Sequence, residues 1–168
     1  FTFEYGSVNN RYYEDNLIYL DDRSNFIEGG LGGRYCFRYN TFNHLGIYGV
    51  NPWFDMHGNM GTGGNLGTMG AEIYGNVIYC NKKSLKIFDQ RGGKLIAFNN
   101  KGYNVNGLNG QKIEEEYPDS LNPPETNPAG QPQHVSDSYY WNQYYNDSLN
   151  YDYYITPTVD YGGNTGIV

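Results

Sequence analysis

Short runs of alternating apolar and polar residues recur along the first hundred positions of the chain. The clearest runs are YCFRYN at 35–40, EIYGN at 72–76 and LIAFNN at 95–100, and a weaker version is YYEDN at 12–16. Alternation over four to six residues is the period of a β-strand with one buried face. No stretch sustains the 3.6-residue period of an amphipathic helix, so the pattern predicts an all-β chain of short strands.

Each run closes on an asparagine, and these asparagines are regularly spaced. They are Asn16, Asn40, Asn76 and Asn100, at intervals of 24, 36 and 24 residues. Asparagine tolerates left-handed backbone conformations in turns, and stacked asparagine side chains can hydrogen-bond to one another. We therefore expect the four side chains to form one column with a structural role.

A second recurring line lies between the first ones. It reads FIEGGLGG at 26–33, WFDMHG at 53–58 and IFDQRGG at 87–93. A unit of two strands and a glycine turn that recurs at about 24 residues cannot bury its apolar face alone, so neighbouring units must stack. The spacing predicts a β-solenoid, with a glycine-rich insertion at 58–70 in the longer interval.

Composition limits the classes of function. Only 17% of the 168 residues are charged, the formal net charge is −7, and 19 tyrosines and 8 phenylalanines make the chain too aromatic for a disordered segment. The negative charge argues against nucleic acid as a partner. No apolar stretch approaches the roughly 18 residues of a membrane span. Cys36 and Cys80 allow either one disulfide or two reduced thiols.

Several segments resemble a known family. GGRYCFRYNTF, WFDMHG, GAEIYGNVIY and FDQRGGKLIAFNN look like repeats of right-handed parallel β-helix proteins of the pectate-lyase-like superfamily, in particular uncharacterised secreted bacterial or environmental members. The resemblance covers 12–104 and extends more loosely to 131–146 and 151–154. It implies a right-handed parallel β-helix of about four to five coils with a loop-rich C-terminal cap, located outside the cell or at its surface.

The resemblance also implies the organisation of the chain. Residues 1–104 are expected to be β-helix coils, and 105–132, which hold five of the seven prolines, a loop excursion. Residues 133–168 return to tyrosine-rich sequence and are expected to form the terminal coil and cap of the same domain.

The second recurring line carries the strongest candidate site. Aligning Ile27, Phe54 and Phe88 as inward anchors places Glu28, Asp55 and Asp89 one above another on the outer, exposed side, about 4.8 Å apart. Stacked carboxylates repel unless a cation, a proton or basic neighbours compensate them. Ca²⁺ prefers such oxygen ligands, so Glu28, Asp55 and Asp89 are candidate calcium ligands.

The same face could support catalysis on a polysaccharide. A lyase needs a base and a cationic group, and a glycoside hydrolase needs two carboxylates. The candidate catalytic residues are Asp55, His57, Asp89 and Arg91, and Lys94 is a further candidate base. The alternative is a solvated outer face on which acidic and basic residues simply alternate.

Aromatic residues near the C-terminus suggest a sugar-stacking surface. Tyr139, Trp141 and Tyr144 lie in SYYWNQYY at 138–145. The alternative role for these residues is to pack the cap.

Three functions follow from these observations. The first is an extracellular structural or adhesive module, like a fibre or spike, in contact with polysaccharide or cell-surface glycan. The second is a polysaccharide lyase or glycoside hydrolase with an acidic groove. The third is a filament subunit that associates head to tail, for which we expect Phe1 and Phe3 to alternate as a first-coil strand whose open edge is covered by another chain.

Overall fold

The structure is a computed structural model, and it is all-β in the part of the chain that it describes. That part comprises residues 3–21, 26–29, 32–46, 53–57, 67–84, 87–105, 111–113, 135, 137–150 and 154–155. These residues contain sixteen strands and no helix. Within them, therefore, no helix is long and apolar enough to cross a membrane.

The strands, numbered along the chain, form three sheets. Sheet A has the spatial order β1 (Arg11–Glu14), β4 (Arg34–Arg38), β7 (Gly70–Tyr74), β10 (Lys94–Phe98) and β13 (Tyr139–Trp141). Sheet B has β2 (Leu17–Leu20), β5 (Thr41–His44), β8 (Val77–Ser84), β11 (Lys101–Val105), β14 (Gln143–Tyr145) and β15 (Ser148–Asn150). Sheet C has β3 (Ile27–Gly29), β6 (Phe54–Met56), β9 (Phe88–Gln90), β12 (Gln111–Ile113) and β16 (Tyr154–Ile155).

Apart from the pairing of β14 with β15, strands pair with the strand one repeat away rather than with their neighbours in sequence. Strands β4 and β7 pair in parallel with Phe37 opposite Ile73, and β7 and β10 continue with Ile73 opposite Ala97. All described pairings are parallel except β14 with β15, which are antiparallel. Parallel neighbours need a long connection, and here the connection is the passage through the other two sheets.

Apolar residues from all three sheets meet in one core. Phe37 of sheet A and Phe42 of sheet B both pack against Phe54 of sheet C, with ring centroids 5.5 Å and 5.7 Å away. Each of the three is at most 1% exposed. Burying a side chain of this size stabilises a fold by about 1.5–3 kcal/mol, so this contact is a principal tie between the sheets.

The predicted asparagine column is confirmed at the turn between sheets A and B. The amide oxygen of Asn76 accepts from the backbone N–H and the side-chain Nδ2 of Asn40, both at 3.0 Å. The amide oxygens of Asn40 and Asn100 accept in the same way from Asn16 and Asn76. Gln143 continues this ladder into the last repeat, since its Oε1 lies 3.1 Å from the Nδ2 of Asn100.

The sequence predicted a left-handed backbone at these asparagines. That prediction is wrong, because the left-handed residue is the one before each asparagine. The residue before each ladder amide has a positive φ, and these residues are Asp15, Tyr39, Gly75, Asn99 and Asn142. The left-handed residue turns the chain, and the ladder residue then points its side chain inward to satisfy buried backbone groups. Asn76, for example, donates from Nδ2 to the carbonyl of Phe37 at 2.9 Å.

One predicted segment differs from the structure, and a second lies mostly outside the described residues. Part of the excursion 105–132 is regular, because Gln111 pairs with Phe88 at the start of β12, while 114–132 lies outside the described residues. A single apolar residue, Ile113, leaves no alternation for a sequence pattern to detect. The glycine-rich insertion is described only from Gly67 onward.

The N-terminal segment is not a first-coil strand. Phe3 belongs to no strand, is 7% exposed and lies against Gly70, where a Cβ would come within 2.5 Å of the Phe3 ring. The backbone N–H of Gly6 and the Nδ2 of Asn10 both donate to Glu72 Oε1, at 2.7 Å and 2.8 Å. The segment therefore runs over the outer face of sheet A, and head-to-tail association stays a prediction without Phe3 as its edge strand.

Candidate functional site

The register predicted for the acidic residues of sheet C is confirmed. Glu28 lies opposite Asp55 in the pairing of β3 with β6, and Asp55 lies opposite Asp89 in the pairing of β6 with β9. The two flanking positions on β6, Phe54 and Met56, point into the core. Because side chains alternate along a strand, Asp55 points away from that core, as expected.

The exposure predicted for this acidic face is wrong. Asp55 and Asp89 are each only 5% exposed, although both point away from the apolar core. The side chain of Arg91, itself only 16% exposed, covers the Asp55 carboxylate. The side chain of Glu28 lies outside the described residues. The face is thus not an open acidic groove at Asp55 and Asp89 but a covered polar cluster.

Asp55, His57 and Arg91 come together as one hydrogen-bonded group. Arg91 donates to Asp55 Oδ1 from Nη2 at 2.6 Å and from Nε at 3.1 Å. The same Nη2 lies 2.5 Å from His57 Nε2, which is 3.5 Å from Asp55 Oδ2. A guanidinium can only donate, so His57 Nε2 must be the acceptor. The guanidinium of Arg91 thus links the carboxylate of Asp55 to the ring of His57.

Two opposing effects set the ionisation of Asp55. Burial raises the pKa of its carboxyl group, while the hydrogen bonds and positive charge of Arg91 act to lower that pKa. Removing Arg91 would take away the main influence that opposes the effect of burial on the pKa of Asp55. Arg91 is therefore the largest influence that favours the charged form of this buried carboxylate, and His57 acts in the same direction.

A metal at this position would have to compete with Arg91. Among the residues that the structure describes, no group of three or more His, Cys, Asp or Glu side chains is arranged to hold a metal ion. Calcium needs six to eight oxygen ligands. Asp55 already directs Oδ1 at a guanidinium, so a calcium site here would need oxygen atoms from elsewhere in the chain and a displaced Arg91.

Lys94, the further candidate base, lies away from this group. It begins β10 in sheet A, and its Nζ forms an ion pair with Asp137 Oδ2 at 2.5 Å. Of the five catalytic candidates, the structure thus joins three into one hydrogen-bonded group and places Lys94 on another sheet. Asp89 lies beside Asp55 on the neighbouring strand.

The three candidate sugar-binding residues divide between two sheets. Tyr139 and Trp141 occupy alternate positions of β13 at the last edge of sheet A, and they are 56% and 39% exposed. Tyr144 belongs to β14 in sheet B, where it lies opposite Lys101. The structure therefore supports a surface containing Tyr139 and Trp141 but not Tyr144.

Trp141 ends a stack of aromatic rings on the outer face of sheet A. Its ring lies parallel to that of Phe98, with centroids 4.5 Å apart, and Phe98 stacks in the same way on Tyr74. The faces of Phe98 and Tyr74 are used by these contacts, whereas Trp141 lies on the last described strand of the sheet. The sequence reasoning missed this stack, although Tyr74 and Phe98 stand at the same distance before Asn76 and Asn100.

An ion pair borders the two exposed aromatic residues. In the outer row of β10, Ile96 and Phe98 lie opposite Tyr139 and Trp141, and Lys94 precedes them in the same alternation. Asp137, with its side chain 59% exposed, pairs with Lys94 two residues before Tyr139. Two ring surfaces and two charged groups therefore line the same edge of sheet A.

Comparison with known proteins gives no relative. No protein-family model matches the chain, and no curated protein or solved structure matches it either.

Proposed function

We propose that the chain is a right-handed parallel β-helix that acts outside the cell or at its surface as a structural or adhesive module in contact with glycans. The strand order supports the fold, because successive strands enter sheets A, B and C in turn and pair with the strand one repeat later. The proposed contact surface is the last edge of sheet A, defined by Lys94, Asp137, Tyr139 and Trp141, and is called the sheet A edge below.

The single observation that carries the glycan contact is the position of Trp141 at the end of the aromatic stack. One face of its ring is occupied by Phe98, and the ring is 39% exposed at the edge of the sheet. Sugar rings present C–H groups to aromatic faces and hydroxyl groups to charged side chains. Tyr139 adds a second exposed ring, and the Lys94–Asp137 pair supplies the charged side chains on the same edge.

Binding of the whole chain to a panel of soluble polysaccharides tests this proposal. We expect Trp141→Ala to weaken binding about tenfold, because an aromatic contact is worth about 0.5–1.5 kcal/mol and 1.4 kcal/mol is a factor of ten. Tyr19→Ala is the matched control, since Tyr19 is 59% exposed but lies on sheet B. Equal binding by both variants, or no binding to any polysaccharide by the unmodified chain, would overturn the proposal.

The second candidate function is a polysaccharide lyase or glycoside hydrolase, and the buried group of Asp55, His57 and Arg91 favours it. Buried charged side chains at hydrogen-bonding distance with a perturbed pKa are common at catalytic sites. Reducing-end release and unsaturated-product absorbance, measured on the same polysaccharides, test this candidate. Cleavage abolished by Asp55→Asn and by Asp89→Asn would support it, and any requirement for Ca²⁺ would appear as loss of activity with a chelator.

A further inference from the structure

His44 is a buried histidine whose ring makes no hydrogen bond within the described part of the chain. It ends β5, its side chain points inward, and it is 2% exposed. Among the residues that the structure describes, neither Nδ1 nor Nε2 has a hydrogen-bond partner. A neutral imidazole has one donor and one acceptor nitrogen, and leaving a buried polar group unsatisfied costs about 1–3 kcal/mol. This arrangement is expensive unless the ring has a ligand.

Cys80 lies directly beside His44 on the neighbouring strand. The pairing of β5 with β8 places His44 opposite Cys80, and paired strands lie about 4.8 Å apart. Two residues earlier, Phe42 and Ile78 both belong to the core, so His44 and Cys80 point to the same inner side. Cys80 is 8% exposed, and both cysteines of the chain are reduced thiols.

Both side chains of this pair are buried, and an indole ring lies next to His44. The ring of Trp53 lies edge-on to His44 at 6.2 Å, and its buried Nε1 also has no hydrogen-bond partner in the described ranges. A buried net charge is costly in such surroundings. A monovalent cation bound by one thiolate and one neutral imidazole has no net charge, whereas a divalent cation with the same ligands leaves one positive charge.

We propose that His44 and Cys80 form a binding site for a soft monovalent metal ion, Cu(I), at the inner side of sheet B. Thiolate ligands favour Cu(I), and imidazole suits copper. Structural zinc sites need four protein ligands, and no third His, Cys, Asp or Glu joins this pair among the described residues. The ligand number and the charge balance therefore favour Cu(I) over Zn²⁺.

The site lies at the end of a strand rather than deep in the stack. Leu45, the residue after His44, is 59% exposed. Gly46 follows, and a Cβ there would lie 2.8 Å from His44 Nε2 and 2.8 Å from the carbonyl oxygen of Asp21. The imidazole therefore lies close to the turn that follows β5. The close approach also means that Gly46→Ala should displace the imidazole and weaken binding without removing a ligand.

Binding replaces a proton on sulfur. The S–H bond of Cys80 is lost, an S–Cu bond and an imidazole N–Cu bond form, and one proton is released to solvent for each copper bound. The oxidation states of copper and sulfur do not change. Because protons compete for the thiolate, affinity falls as the pH is lowered.

The first test uses the unmodified whole chain with Cu(I) under anaerobic conditions. Competition with a coloured Cu(I) chelator should give one copper per chain with release of one proton. X-ray absorption spectroscopy should show one sulfur and one nitrogen on the copper. No binding, or copper bound by sulfur ligands alone or by nitrogen and oxygen alone, would overturn the proposal and leave a buried water as the partner of His44.

The second test uses variants of the two ligands. Cys80→Ala and His44→Phe should each lower the affinity for Cu(I) at least a hundredfold, with folding checked by circular dichroism. Cys36→Ala is the matched control, because Cys36 is the other buried thiol but lies on sheet A. If Cys36→Ala abolished binding, or Cys80→Ala left it unchanged, the assignment would be wrong.

Discussion

The asparagine ladder and the acidic column of sheet C are both polar side chains stacked at one position of successive repeats, yet they are stabilised in opposite ways. In the ladder, Asn40, Asn76 and Asn100 are at most 1% exposed and hydrogen-bond directly to one another. In the acidic column, Asp55 and Asp89 are 5% exposed, and Asp55 is held by a residue outside the column, Arg91.

The difference follows from the chemistry of the two groups. A side-chain amide both donates and accepts, so identical copies can satisfy one another indefinitely along a stack. An ionised carboxylate only accepts, and its copies repel. A repeat protein can therefore bury a column of asparagines with no further residue, whereas a column of aspartates requires a cation supplied by another position.

Turning the ladder into an acidic column should have the largest effect. In Asn76→Asp, the new oxygen would face the carbonyl of Phe37 and Oδ1 of Asn100, to which Asn76 Nδ2 now donates at 2.9 Å each. An uncompensated buried charge costs about 3–5 kcal/mol. We expect that loss in the free energy of unfolding at neutral pH, measured by urea denaturation, and a smaller loss at acid pH where the carboxyl is protonated.

Asn16→Asp is the control for this substitution. Asn16 lies at the exposed end of the ladder, so water can solvate a carboxylate there. Its cost should be about 1 kcal/mol or less. Equal losses for Asn16→Asp and Asn76→Asp would contradict the view that burial without a cation is what distinguishes the two columns.

Removing the cation from the acidic column should have the next largest effect. Arg91→Gln deprives Asp55 of hydrogen bonds at 2.6 Å and 3.1 Å. Hydrogen bonds to charged groups contribute about 1.5–3 kcal/mol, and we expect a loss of that size near neutral pH. Asp55→Asn combined with Arg91→Gln should recover part of it, because an amide carries no charge to be compensated.

The loss caused by Arg91→Gln should depend on pH. Burial already raises the pKa of Asp55, and without Arg91 that pKa rises further. A carboxyl group whose folded pKa lies above its unfolded value of about 3.9 stabilises the fold below that pH. This contribution disappears as the pH rises through the folded pKa. Urea midpoints should therefore converge with those of the unmodified chain at low pH, and a pH-independent difference would count against this explanation.

The smallest effect should come from the residue beside the ladder. Asn99 precedes Asn100, has φ 54° and is exposed. Asn99→Ala should cost about 1 kcal/mol, since a left-handed backbone is unfavourable by about 1–2 kcal/mol for residues other than glycine and asparagine. Asn99→Gly should change the free energy of unfolding by only a few tenths of the loss expected for Asn99→Ala. A large loss for both variants would show that the Asn99 side chain, not its backbone conformation, matters.

Much of the repeat could be predicted because it is visible as regular spacing of residues along the sequence. The intervals of 24, 36 and 24 residues place Asn16, Asn40, Asn76 and Asn100 in one column, and the apolar anchors fix the register of Asp55 with Asp89. Gln143 was missed because it differs in residue type from the rest of the ladder. Its signal was present, since it follows Asn142 as Asn100 follows Asn99.

The sequence by itself determined the strand period, the direction in which Asp55 points and the register of Asp55 with Asp89, because each depends on alternation and repeat length alone. Only the tertiary structure decided that Arg91 covers Asp55, that Phe3 lies on sheet A and that Tyr144 is separated from Trp141. These facts depend on which side chains reach across strands and over faces. Those contacts are set by packing between residues that are distant in the chain, and a local sequence pattern does not contain that information.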